Sequence, residues 1–394
     1  MLLQMCGGTK RLKTNVLSVY NLLNIKQKIQ MNKKSNIAIL MILIMGFVFS
    51  CTNIENLDVE SEAVKELYSK RDSLKWAQED SLKLKNLEDS IKMAKENERL
   101  YALYLEDLKE YKKSKHPIMF GWFNSWSASA PGDYSQLHLL PDSMDIVSIW
   151  GNWSGLDAQK QNQLKEVQAK GTKVIIGWIV ENVGDQIVWE RDYWPNDPEA
   201  AVRAYAQSIC DTINKYGYDG FDIDYEPSYA SPWGGMHCGK WSEPWSDNKA
   251  LISCSRDYNK ELENYFFKTM RELLGPDKIL NINGSIHWLD PVSAKYFDYF
   301  VVQSYNGSYS SWTSQVLNRL GGAGVTKDQI IYTETFQNNE GNRKRFINYA
   351  EFVTNTLNRE AGGIGAFHIN EDAFNNDNYK HIRAAISHMN PPVK

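Results

Sequence analysis

The run Asp219-Gly220-Phe221-Asp222-Ile223-Asp224-Tyr225-Glu226 constrains this chain more than any other stretch. Side chains alternate between the two faces of a β-strand. As a strand, the run sends Asp222, Asp224 and Glu226 to one side and Phe221, Ile223 and Tyr225 to the other. The apolar face needs cover, which argues for an interior strand. The acidic face has the opposite problem, because close carboxylates repel one another and resist desolvation. Such a face is tolerated where it does chemistry: neighbouring carboxylates push their pKa values apart and leave one holding a proton near neutral pH. A hard-cation site or a solvated edge strand are the plainer alternatives. The apolar face argues against the edge strand, and the metal site stays open beside the preferred catalytic reading.

The surrounding pattern gives that strand a context. From His116 onward, short apolar runs alternate with amphipathic stretches, the mark of βα units on a parallel sheet. Strands are predicted near Ile118–Asn124, Asp145–Trp150, Lys173–Val180, Gly220–Glu226, Ile279–Ser285, Tyr299–Tyr305, Gln329–Thr335 and Ile364–Ile369. Helices are predicted over Gln159–Lys170, Pro198–Lys215, Asp257–Leu274, Asn342–Asn358 and Asn378–His388. Between Trp288 and Phe297 there is room only for a brief helix. The expected class is α/β, a (β/α)8 barrel, whose active site would lie at the C-terminal strand ends.

The acidic run also resembles, at every defined position, the Asp-Gly-x-Asp-x-Asp-x-Glu motif of glycoside hydrolase family 18, which holds chitinases and endo-β-N-acetylglucosaminidases. The resemblance implies that this is the fourth barrel strand. It implies that Glu226 is the general acid/base, that Asp224 orients and stabilises the substrate's acetamido group, and that Asp222 shares a proton with Asp224. Gln303-Ser304-Tyr305-Asn306 is similar to what the family places on strand six, where the Tyr hydroxyl bonds the acetamido group; that role would fall to Tyr305. Gln303 and Tyr305 share parity and are both expected to face the interior.

Other strand ends supply candidate substrate contacts: Trp122, Asn124, Trp150, Asn283, Asn306, Glu334, His368 and Asn370. The loop after Glu226 is long and carries Trp233, Trp241 and Trp245, so it is expected to wall the sugar cleft, with Trp233 a contact. The whole chain holds 13 Trp, 21 Tyr and 14 Phe, a supply that suits flat apolar sugar faces. The net charge of −4 does not recommend nucleic acid as a partner. No cofactor and no metal are expected, since no second ligand accompanies His287 or His368 at metal spacing.

The departures from the family pattern bear on substrate. Chitinases of the family often place a Trp on strand eight, whereas Gly365-Ala366-Phe367-His368-Ile369-Asn370 has none. The resemblance therefore leans to the endo-β-N-acetylglucosaminidase branch, which cuts the chitobiose core of N-linked glycans, with high-mannose glycans the expected type. A chitinase and a non-catalytic glycan-binding surface protein stay open as alternatives.

Before the barrel, the chain divides at residues 1–51, 52–115 and 116–394. Asn32-Lys33-Lys34, an apolar run from Ile37 to Phe49, and Val48-Phe49-Ser50-Cys51 resemble a bacterial lipoprotein signal peptide ending at a lipidation cysteine, Cys51. An uncleaved anchor is the alternative, and residues 1–30 read as upstream of the working start. The expected location is the outer membrane of a Gram-negative bacterium, through the lipid on Cys51. Residues 52–115 are rich in Lys, Glu, Asp and Leu and lack glycine, so a long solvated helix or helical pair is expected there as a stalk. Cys238 and Cys254 sit in one loop, where an oxidising compartment would permit a disulfide. Cys210 falls in a helical apolar pattern.

Overall fold

A computed structural model describes residues 59–129, 133–180, 183–187, 193–195, 197–226, 256–376 and 378–391. Trp233, Cys51, Cys238 and Cys254 lie outside the described residues. The chain forms two units, residues 1–104 and 105–394.

In the first unit the described residues belong to one helix, α1 (Val59–Lys113), rather than to a helical pair. Straight-chain residues carry it, since they lose little rotamer freedom in a helix. Its surface is exposed, with Leu67, Leu74, Trp76 and Leu82 all open to solvent. Ion pairs one turn apart, Glu66 with Lys70 at 3.0 Å and Glu96 with Arg99 at 2.7 Å, support it. Exposed pairs of this kind add only about 0.3–0.5 kcal/mol each.

The last turns of α1 belong to the second unit. Leu108 is buried there. Lys112 Nζ donates to the Met144 carbonyl and to Thr172 Oγ1, both at 2.6 Å. Burial lowers its ammonium pKa to about 8. The second unit thus takes in the end of the helix, from Leu105 onward. A solvated composition hid the few residues that make the contact.

Eight parallel strands close a barrel in chain order. They are β1 (Ile118–Asn124), β2 (Ile146–Trp150), β3 (Lys173–Ile179), β4 (Gly220–Tyr225), β5 (Ile279–Gly284), β6 (Tyr299–Val302), β7 (Ile330–Thr335) and β8 (Gly363–Phe367). Around them run α2 (Ala158–Ala169), α3 (Pro198–Tyr216), α4 (Arg256–Leu274), α5 (Trp312–Leu320), α6 (Glu340–Arg345), α7 (Ile347–Glu351) and α8 (Lys380–Met389). The capping is local and legible. Asp157 and Asp197 each accept the amide N–H three residues on, and Gly217 ends α3 in the left-handed region at φ +77°.

The strand period sorts the core into two. Phe221, Ile223 and Tyr225 pack outward with Tyr205, Phe266 and Phe267 of the helices. Inside the barrel, Phe120, Trp122, Ile175, Val301 and Ile331 form a separate cluster. At the N-terminal ends of the strands one device recurs. The Asp just before β2, β4 and β6 accepts the second amide N–H of the preceding strand. Asp145 takes Met119 N at 2.8 Å, Asp219 takes Val174 N at 2.9 Å, and Asp298 takes Leu280 N at 2.8 Å.

Two predicted elements differ, and one helix lies outside the predicted set. Strand six stops at Val302, because the Ser304 amide turns back to the Val302 carbonyl and the chain enters a short 3-10 turn, Tyr305–Gly307, with Asn306 at φ +60°. The helix predicted over Asn342–Asn358 is broken into α6, α7 and a π-type turn, Phe352–Thr356, where Thr354 Oγ1 donates to the Ala350 carbonyl. Helix α5 was not anticipated. Its apolar pattern is short, with Val316 and Leu320 as its buried contacts.

Candidate active site

The site is built on β4. Asp222 is fully buried, Asp224 is 4% exposed, and Glu226 stands at the strand's end. Register sets their neighbours: Asp222 lies opposite Asn281 and Asp224 opposite Asn283 on β5. On the other side Asp222 lies opposite Gly177 of β3. A Cβ on Gly177 would come within 2.6 Å of the Asp222 carbonyl, so only glycine lets the strands approach here.

Gln303 links the acidic residues. Its Nε2 donates to Glu226 Oε1 at 2.7 Å, Asn283 Oδ1 at 3.1 Å and Asp224 Oδ1 at 3.3 Å. Burial, then the charges of Glu226 and Asp222, hold the Asp224 carboxyl well above the usual range, so Asp224 keeps its proton and shares it with Glu226. Burial also pushes Asp222 up to about 6, opposed by Trp122, Asn283 and Ser148. Trp122 Nε1 donates to Asp222 Oδ2 at 2.7 Å. Tyr305 faces the same group: burial first, then Asp224, Glu226 and Asp222, raises its hydroxyl pKa well above the ordinary value. What places Tyr305 here is the turn after β6 and not strand parity.

The remaining candidates separate into those at the carboxylates and those behind them. Gln303, Asn283 and Tyr305 gather on the acidic face. Trp122 is 2% exposed, and its indole N–H is engaged by Asp222, so it sits beneath the site. Trp150 faces the interior, with its ring 6.1 Å from that of Phe367. Glu334 is fully buried and accepts the amides of Asn306 and Thr335, both at 2.8 Å, which fixes the turn that carries Tyr305. Asn306 itself is exposed. Asn370 Oδ1 accepts the Asn124 amide at 3.1 Å, tying the end of β8 to that of β1. His368, at φ +57°, pairs its Nδ1 with Glu371 at 3.1 Å. Trp126, Trp153 and Trp178 pack behind the sheet.

Phe367 was missed. Its ring stacks near Tyr305 at 6.4 Å and lies edge-on to Trp122 and Trp150, both at 6.1 Å. Its parity with Gly363 and Gly365 is the signal in the sequence that sets it on the inner face. Among the described residues no group of His, Cys, Asp and Glu is arranged to hold a metal ion. Cys210 is a buried free thiol.

A parallel barrel with clustered carboxylates at its C-terminal mouth, one of them held protonated, is an arrangement suited to acid/base chemistry in the (β/α)8 class. The chain belongs to glycoside hydrolase family 18: the family model described as glycoside hydrolase family 18, BT1044-like, matches residues 85–388. Endo-beta-N-acetylglucosaminidase F2 of Elizabethkingia meningoseptica is 31% identical over 135 residues, 32% of this chain. That alignment spans 38% of the relative's length. Among solved structures, BT1044 in a selenomethionine form with a Glu-to-Gln substitution is 27% identical at a TM-score of 0.58, covering 73% of this chain and 92% of that one. An endo-beta-N-acetylglucosaminidase from Cordyceps militaris, solved with fucosyl-N-acetylglucosamine-Asn, matches at a TM-score of 0.54 and 20% identity over 73% and 95% of the two chains. This last likeness concerns the fold alone.

Proposed function

We propose that the protein is an endo-β-N-acetylglucosaminidase that cleaves the GlcNAc-β1,4-GlcNAc core of N-linked glycans on glycoproteins, high-mannose ones first. The observation that carries the reading is the Gln303 bridge, which holds Glu226, Asp224 and Asn283 together beside Tyr305. Two observations support this branch over chitinase. The curated relative bears that activity in its name, and strand eight, where chitinases of the family often carry a Trp, presents Phe367 beside Tyr305.

The geometry supports a substrate-assisted mechanism. Neighbours i and i+2 on a strand lie about 6–7 Å apart, so Asp224 can hold the acetamide N–H while Glu226 reaches the glycosidic oxygen. Family members of this kind use the substrate's acetamide oxygen as nucleophile. Glu226 gives its proton to the leaving oxygen as the C1–O bond breaks. The acetamide oxygen bonds C1 while Asp224 passes its proton to Asp222, and the resulting Asp224 carboxylate stabilises the positive oxazolinium until the proton returns on ring opening. Tyr305 orients the acetamide. Water then attacks C1 with Glu226 taking its proton, the ring opens, and the β configuration returns.

The test is mass spectrometry of a high-mannose and a complex-type glycoprotein after incubation with the purified protein. Released glycans ending in one GlcNAc, with its partner left on Asn, support the proposal. Cleavage of chitin oligomers alone would replace it with a chitinase. Glycan binding without release would replace it with a binding protein.

The same reading includes a lipid on Cys51 that tethers the enzyme to the outer membrane, with α1 as spacer. Loss of detergent-phase partitioning in Cys51→Ser is the expected result, and unchanged partitioning would count against it.

A further inference from the structure

Beneath the acidic face lies a set of polar groups that the mechanism leaves idle. Asn281 is fully buried, and neither its Oδ1 nor its Nδ2 has a hydrogen-bond partner among the described residues. The same holds for Ser148 Oγ, Asp222 Oδ1 and Asn283 Nδ2. These atoms are neighbours. Asn281 is the register partner of Asp222. The position a Cβ would take on Gly177 is 3.0 Å from both Ser148 Oγ and Asp222 Cβ. Deeper in, the barrel is apolar, with Phe120, Ile175, Val301 and Ile331.

A buried amide with four unmet bonding positions is costly, and so is a carboxylate oxygen with none met. Direct pairing does not satisfy them all: Ser148 and Asn283 turn towards Asp222 and favour its ionised form, while neither polar atom of Asn281 reaches a partner. Five orphan atoms with both donors and acceptors are the setting in which proteins enclose ordered water, each molecule making about three bonds.

The geometry points to Asn281 and Ser148 as positioning residues that hold an internal water under Asp222. The water donates to Asp222 Oδ1 and accepts from Asn281 Nδ2. Trp122 Nε1 holds the other oxygen, Asp222 Oδ2. The carboxyl is thus held from both sides while the charges that act with it, Asp224 and Glu226 of its own strand and the Tyr305 hydroxyl, lie towards the mouth. The water stabilises the ionised form of Asp222 and so sets the pH at which the Asp222–Asp224 pair first loses a proton. This inference rests on the acid/base reading of β4.

The test is the near-isosteric Asn281→Leu, with Ser148→Ala as a milder second variant should the first not fold. The expected result is an acid limb of the kcat/KM pH profile moved up by about one unit, roughly a tenfold loss on that limb, with KM unchanged. Ser148→Ala moves it the same way by less. An acid limb that superimposes on wild type, or a loss equal at every pH, would overturn the assignment. A high-resolution crystal structure should also show density within hydrogen-bond distance of Asn281 and Asp222, and its absence would do the same. If the wild-type protein releases no N-glycan, the substrate reading fails on its own. The Asp222 titration, followed by carboxyl NMR and assigned with Asp222→Asn, then decides this inference without any substrate.

Discussion

At the N-terminal ends of the strands, Asp145, Asp219 and Asp298 each accept a backbone amide from the neighbouring strand and sit beside a basic group. His116 Nε2 lies 3.3 Å from Asp145, Lys173 Nζ 3.5 Å from Asp219, and Arg271 Nη2 2.6 Å from Asp298. At the C-terminal ends of the same barrel, Asp222, Asp224 and Glu226 face one another with amide, indole and phenol groups for company. The first arrangement satisfies each charge and ties strands together. The second leaves charge in excess, so protons are retained where buried carboxylates would ordinarily lose them. One end is built for stability and the other gives stability up for reactivity.

The comparison can be broken most decisively at Glu226. Glu226→Gln should lower kcat by about 10³-fold with melting temperature near wild type, since only the transferable proton is lost. Wild-type activity in the purified variant would remove Glu226 from the mechanism. Asp224→Asn should lower kcat by about 10²-fold with a small change in KM, because the developing positive charge loses its partner. An effect confined to KM would make Asp224 a binding residue only.

Asp222→Asn sharpens the contrast through stability. The Asp222 carboxyl titrates near 6 in the folded protein against an ordinary 3.8, so the folded state binds this proton more tightly. Its contribution to stability therefore falls as pH rises from about 4 to about 6 and stays lost above that. Replacing it with Asn should stabilise the protein at pH 7 by on the order of 2 kcal/mol while reducing activity, with the gain vanishing below about pH 4. Denaturant titration at the two pH values measures it, and destabilisation at pH 7 would contradict the account.

The opposite end should respond in the opposite way. Asp145→Ala leaves the Met119 amide without its acceptor and should cost about 2 kcal/mol. The kcat of the remaining folded protein should be unaltered. A loss of kcat at constant stability would deny the division of labour between the two ends.

Much of this was legible in the sequence because strand and helix periods are local. The alternation of Asp222, Asp224 and Glu226 with Phe221, Ile223 and Tyr225 gave the face, and the βα rhythm after His116 gave the eight strands within a few residues. What local periods do not carry is which side chains meet across strands and turns. Gln303 reaches Glu226 from two strands away, although strand six ends before it. Glu334 spends its carboxylate on the turn that holds Tyr305. Phe367 meets Trp122 only once β8 closes against β1. The end of α1 joins the barrel through Leu108 and Lys112, in a segment whose composition reads as solvated throughout. Period and propensity belong to neighbours in the chain, and they determined the elements and the acidic face. Register, closure and burial belong to neighbours in space. Only the tertiary structure decided which carboxylates are paired, which keep a proton, and which polar groups are left for water to satisfy.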